Sequence, residues 1–135
     1  MIASSSKIGI IGTRGIPANY GGFETFAQEI SVRLVEKGFD VTVYCDKSSN
    51  KITLPSFYQG VKLRYQRTTK TKNSILFYLD GLIMALKEND IIIVTGSGRS
   101  MFYFLNIVAR KIIITNTDGI ESRRDKWSFI QKKVI

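Results

Sequence analysis

Five glycines punctuate one run near the start of the chain, Ile8-Gly9-Ile10-Ile11-Gly12-Thr13-Arg14-Gly15-Ile16-Pro17-Ala18-Asn19-Tyr20-Gly21-Gly22-Phe23-Glu24-Thr25-Phe26. The run reads as a short buried strand, a long loop and the start of an amphipathic helix. Such a loop gathers backbone amides and the positive end of a helix at one point, where a phosphate can sit. Paired glycines let a ligand or another backbone approach without a Cβ in the way. Arg14, Asn19, Tyr20 and Glu24 add polar groups suited to a sugar. A nucleotide- or diphosphate-bearing ligand fits this chemistry. The competing reading is a strand–helix connection whose glycines serve packing alone, and the glycines by themselves leave both open.

The spacing departs from familiar phosphate loops. Gly9, Gly12 and Gly15 give G-x-x-G-x-x-G, not the dinucleotide G-x-G-x-x-G, and the helix begins only near Gly22. No G-x-x-x-x-G-K-[ST] string occurs, which excludes a phosphate-loop NTPase. Plain NAD binding is weakened, although Asp46 stands at the end of the second strand, where a ribose-binding acid would sit. The chain has no histidine and a single cysteine, Cys45. Ser-His-Asp and Cys-His catalysis are therefore excluded on this chain, nearly every zinc arrangement is removed, and no internal disulfide can form. Acid–base chemistry falls to carboxylates, Tyr or Lys, or to another part of the protein; no metal or resident cofactor is called for.

The elements that must position these residues alternate between β-rich and helical patterns, the mark of a parallel sheet covered on both faces. Strands are expected at Lys7–Gly12, Asp40–Cys45, Val61–Tyr65, Asp90–Thr95 and Lys111–Thr115. Ile91-Ile92-Ile93-Val94 and Ile112-Ile113-Ile114 are continuous apolar runs, as strands buried on both faces require. A helix is expected from Gly22 to Lys37, with Phe23, Phe26, Ala27, Ile30, Leu34 and Val35 on one face and Gly38 as its stop. Others are expected from about Asn73 to Lys87, from about Ser100 to Arg110, and from about Lys126. These lengths favour a Rossmann-like, doubly wound α/β sheet of strand order 3-2-1-4-5. Its ligand would lie at the carboxyl ends of the strands. There the first loop meets Thr95-Gly96-Ser97-Gly98-Arg99 and Asn116-Thr117-Asp118-Gly119.

At 135 residues the chain fits one domain. Its net charge of +9 favours polyanionic partners. Lys62, Arg64, Arg67, Lys70 and Lys72 follow one another with no acid between them, and Arg123, Arg124, Lys126, Lys132 and Lys133 form a second group. An anionic membrane surface suits these clusters better than nucleic acid, for which no motif is present; a solvated basic face is the plain alternative. No apolar run reaches spanning length, Ile75 to Leu86 being interrupted by Asp80 and Gly81. The short polar start and lone cysteine point to a cytosolic protein, peripheral at most to the inner membrane face. The sequence stops at Ile135 inside a basic helical pattern with no stop signal, which reads as a fragment of a longer protein.

Two stretches resemble a known family. Ile11-Gly12-Thr13-Arg14-Gly15-Ile16-Pro17-Ala18-Asn19-Tyr20-Gly21-Gly22-Phe23-Glu24-Thr25 and Asn116-Thr117-Asp118-Gly119-Ile120-Glu121-Ser122-Arg123-Arg124-Asp125-Lys126-Trp127 look like the N-terminal half of retaining glycosyltransferases of family 4. Within that family the chain resembles the group heading bacterial capsular and exopolysaccharide rhamnosyltransferases. Ser122 departs from the group's pattern, which has an aromatic residue after the glutamate, and this bears on acceptor specificity.

The resemblance implies a GT-B architecture of two Rossmann-like domains, with residues 1–135 forming the acceptor-side domain. The C-terminal domain, with its E-x7-E region, would hold most of the nucleotide sugar. Gly21 and Gly22 match the loop whose amides approach the donor diphosphate, with Glu24 and Thr25 following at the helix start. Arg14, Gly96, Ser97, Arg99 and Asn116 are the further candidate substrate-binding residues. Asp118 aligns with a polar position beside the reacting sugar and is the candidate catalytic residue. The reaction implied is sugar transfer, with rhamnose the sugar suggested, from a nucleotide diphosphate to a saccharide or lipid-linked hydroxyl with retained anomeric configuration. The nucleotide sugar would be substrate, not cofactor. Two other readings remain: a dinucleotide-binding oxidoreductase or epimerase domain, and a basic module that docks on lipid.

Overall fold

The computed structural model describes residues 6–18, 21–47, 54–69, 74–95 and 110–116. In chain order they form β1 (Lys7–Ile11), α1 (Gly22–Glu36), β2 (Asp40–Cys45), β3 (Phe57–Tyr58), β4 (Val61–Tyr65), α2 (Ser74–Glu88), β5 (Ile91–Thr95) and β6 (Ile112–Asn116). The strands make one six-stranded sheet in the order β3-β4-β2-β1-β5-β6. Every pairing is parallel except β3 with β4. The expected α/β, Rossmann-like fold is present, and its five parallel strands have the expected order, with the crossover between β1's neighbours β2 and β5.

One strand is additional. Phe57 and Tyr58 turn back on β4 through Gln59 and Gly60, both at positive φ (46° and 84°), as a two-residue hairpin loop requires. Expected boundaries shift by one residue at β1, β5 and β6. The helices expected near 100–110 and from 126 lie outside the described residues, apart from Arg110.

Alternation along the strands builds two apolar layers. Ile8, Ile10, Val41, Val43, Val61, Leu63, Ile91 and Ile93 point to one face, where α1 covers them with the fully buried Ala27 and with Phe26, Ile30 and Leu34 packed around it. Ile11, Tyr44, Ile92 and Val94 point to the other, beneath Leu82 and Ala85 of α2. β5 is buried along its whole length, which is why Ile91-Ile92-Ile93-Val94 shows no polar alternation.

The helices stop and seat as their sequences dictate. At the end of α1 the amide of Phe39 donates to the Leu34 carbonyl and that of Gly38 to Val35, a Schellman termination with Phe39 packed on the core. Asp80 and Gly81, which interrupt the apolar run of α2, have structural work. The Asp80 carboxylate accepts from the amides of Arg67 (2.9 Å) and Thr68 (3.5 Å). A Cβ on Gly81 would lie 2.8 Å from the Gln66 side-chain oxygen, so glycine lets the fully buried Gln66 reach the Phe77 carbonyl at 2.6 Å.

Candidate functional site

The carboxyl edge of the sheet is roofed by the loop between β1 and α1. Ile16, 1% exposed, anchors the loop in the α1-side core, and the Ile16–Pro17 peptide is cis. Arg14 accepts at its carbonyl from the Asp46 amide at 3.0 Å, which ties the loop to the end of β2. Three loop amides are already engaged. Arg14 donates to Glu24 Oε1 (3.1 Å), Gly15 to Thr13 Oγ1 (3.1 Å) and Ala18 to Gln28 Oε1 (2.7 Å). These amides, offered by the sequence as ligand donors, instead fix the loop's own path.

The glycines divide into two kinds. A Cβ on Gly12 would meet the Thr95 carbonyl oxygen and Oγ1 at 2.7 Å, because the exits of β1 and β5 touch there through a Thr95 Oγ1 donation to the Ile11 carbonyl. A Cβ on Gly15 would lie 2.6 Å from Cys45 Sγ. Packing explains both. Among the described residues, a Cβ at Gly22 would meet nothing within 4 Å, and one at Gly21 only the tip of Glu24 at 3.7 Å. Packing among those residues explains neither.

These last two residues form the amino end of α1. Gly21 is the N-cap and supplies no side chain to the first turn. The first intrahelical bond is Thr25 N to the Gly21 carbonyl at 3.1 Å, to which Thr25 Oγ1 also donates at 3.1 Å. Among the described residues no group accepts from the amides of Gly22, Phe23 or Glu24, and both glycines are exposed. Among the described residues this helix start has no side-chain cap, and it lies at the carboxyl edge of a parallel sheet, a place suited to an anion.

Other candidates fall differently. Glu24 is 6% exposed and turned onto Arg14, so it positions the loop. Arg14 is half-buried, and Asn116 ends β6 level with Thr95, half-buried at the same edge. Gly96, Ser97, Arg99 and Asp118 lie outside the described residues. Asp46 is 1% exposed under the loop, with Gly15 filling the space above neighbouring Cys45. Sequence reasoning missed Gln28, one turn beyond Glu24 on the same loop-facing side of α1; its polarity at that spacing was the available signal.

The basic run does not form one free patch. Lys62 pairs with Asp40 at 3.0 Å and Arg64 with Glu88 at 2.9 Å. Glu88 also accepts from the Tyr44 hydroxyl at 2.7 Å, and Asn89 Nδ2 donates to that hydroxyl at 2.7 Å. Lys7, Asp40, Thr42, Lys62, Arg64, Glu88 and Asn89 line a shallow hollow of about 260 Å³ on the α2 side of the sheet. Lys70 and Lys72 lie outside the described residues. A larger open groove of about 530 Å³ runs along α1 between Glu29, Arg33, Glu36 and Tyr58. It follows the helix flank, away from the uncapped end, and the Arg33–Glu29 ion pair bridges part of its lining.

No helix among the described residues is long and apolar enough to cross a membrane, and no metal-binding cluster occurs among them. No curated protein and no solved structure matches the chain. A family model matches residues 5–135, nearly the whole sequence, and the chain therefore belongs to the family described as a domain of unknown function, DUF1972.

Proposed function

We propose that this domain is the acceptor side of a retaining glycosyltransferase, transferring a sugar, with rhamnose the candidate, from a nucleotide diphosphate to a saccharide or lipid-linked acceptor in cell-surface polysaccharide synthesis. The observation that supports this reading best is the uncapped amino end of α1. Among the described residues its two exposed glycines have no packing reason, and its first-turn amides have no acceptor. In a retaining transfer the departing diphosphate is the charged partner of an oxocarbenium-like transition state. Fixed backbone donors stabilise that charge without a titrating base, which suits a chain lacking histidine. A second domain would bring the donor, and Asp118 and Arg99, outside the described residues, are the further candidates from the sequence.

The dinucleotide alternative is less well supported. Its ribose-binding acid would be Asp46, which lies buried beneath the loop, and the turn from β1 to α1 is far longer than a dinucleotide fold uses. The test is transfer of radiolabel from a panel of nucleotide sugars to a polyprenyl-linked saccharide by the full-length gene product, beside a thermal-shift screen with the same nucleotides and NAD. Transfer with one nucleotide sugar is the expected result. Stabilisation by NAD alone removes the proposal.

A further inference from the structure

The helix α2 buries one face and leaves the other apolar as well. Phe77, Leu82 and Ala85 are buried against the sheet, at 2% exposure or less. On the opposite side Ile75, Leu76 and Ile83 are 47%, 49% and 40% exposed, with Leu79 half-buried between them. At about 100° per residue these four positions fall within a single arc of roughly 100°. A helix on the outside of a soluble domain ordinarily turns charged residues to that arc. Three acids lie on or next to the helix, and each has a partner: Asp90, exposed just past its end, accepts from the Lys7 amide at 3.0 Å. Asp80 is held by the amides of Arg67 and Thr68, and Glu88 by Tyr44 and Arg64. The exposed cations next to the helix are Arg67, before it, and Lys87, in its last turn.

We propose that the outward face of α2, Ile75, Leu76, Leu79 and Ile83, lies in the headgroup region of an anionic lipid bilayer, with Arg67 and Lys87 at its flanks on lipid phosphates. The length of the helix, 15 residues, is too short to span a bilayer and suits one lying in its surface. The chain's net charge of +9 supplies the complementary long-range attraction. Because α2 leads from the exit of β4 to the start of β5, its amino end with Ile75 and Leu76 lies at the carboxyl edge of the sheet, the edge that also holds the open end of α1. Lys62 and Arg64, already ion-paired, have no part in the contact.

The test is co-sedimentation of the full-length gene product with vesicles of phosphatidylcholine alone or mixed equally with phosphatidylglycerol. Binding to the mixed vesicles is expected, falling roughly 100-fold for Ile75→Ser/Leu76→Ser/Ile83→Ser. It should persist in Lys62→Gln/Arg64→Gln. Circular dichroism checks that each variant is folded. Should the triple variant fail to fold, Leu76→Trp in a Trp127→Phe background gives an independent readout, a blue shift of emission when mixed vesicles are added. Undiminished binding of a folded triple variant, or no blue shift, overturns the proposal. So does a dimer of the wild type that the triple variant converts to monomer, since the face would then bind a second copy. Vesicle binding needs no nucleotide sugar and transfer to a soluble acceptor needs no vesicle, so this inference and the proposed reaction fail separately.

Discussion

Two polar regions lie at opposite ends of the same strands, and they are finished in opposite ways. At the amino end, on the α2 side, Lys62 meets Asp40, Arg64 meets Glu88, and Glu88 and Asn89 both hold the Tyr44 hydroxyl. Each carboxylate there has a partner. At the carboxyl end, Glu24, Gln28 and Thr13 satisfy the loop amides, yet the helix they lead into begins without a cap. Glycine shows the same contrast. A Cβ on Gly9, facing the first region, would meet Asn89 Nδ2 at 2.6 Å, whereas one on Gly22 would meet nothing within 4 Å among the described residues. Polar groups that complete one another belong to the fold, and donors that a rigid surround leaves open are what a ligand can use.

The sharpest way to break this comparison is to fill the open end. Gly22→Leu adds a side chain to empty space on an exposed helix start, so unfolding by heat should be unchanged or slightly harder. Sugar transfer by the full-length protein should fall by about 100-fold or more, as expected when donors to a developing charge are obstructed. Equal transfer rates for variant and wild type would mean that the opening is only surface.

Gly15→Ala is the converse. Its Cβ would press on Cys45 beneath the loop, and the residue holds a φ of 114°. Denaturant titration should show a loss of about 2–4 kcal/mol. A loss below about 0.5 kcal/mol would show that the loop is not seated as described.

At the other end, Tyr44→Phe removes a hydroxyl with two partners and should cost about 1–2 kcal/mol while leaving transfer intact. The loss should also depend on pH. Burial, reinforced by the Glu88 carboxylate, raises the Tyr44 hydroxyl well above its ordinary 10.0. The folded protein keeps a proton that the unfolded chain releases. That contribution is complete below pH ~10 and declines above it by about 1.4 kcal/mol per pH unit. The stability difference between wild type and Tyr44→Phe should therefore shrink between pH 10 and 11, to first order unaffected by Tyr65, whose hydroxyl is also raised by burial but is present in both proteins. A constant difference would contradict the buried bond. Smallest of all, Lys62→Gln should change stability by less than ~1 kcal/mol, because its pair with Asp40 is half-exposed.

The strand order was legible because five apolar runs alternate with amphipathic stretches of crossover length, and the end of α1 because Gly38 follows its last apolar turn. Phe57–Tyr58 was not legible: two residues hold no periodicity, and their pairing depends on β4 being in place. At the site, the position of Gly21 and Gly22 at a helix start could be read directly. The inward turn of Glu24 could not. Its bond to Arg14 spans ten residues of chain and exists only because Gly12 and Gly15 let the loop fold down over β2. The pairing of Lys62 and Arg64 was hidden for a similar reason, since Asp40 and Glu88 are distant in sequence and adjacent only across the sheet.

Cys45 sits beneath Gly15, 3% exposed, and is the chain's only thiol. A reagent can reach it only when residues 12–18 lift from the end of β2, so the rate of alkylation under native conditions measures how often that happens. When opening and reclosing are faster than the reagent, the rate relative to an unfolded control gives the free energy of the local excursion, separate from that of global unfolding. Occupation of the uncapped helix end by a diphosphate would slow the labelling wherever loop and ligand hold each other in place. The chain thus contains an internal reporter, needing no engineered label, for whether the roof over its sheet moves.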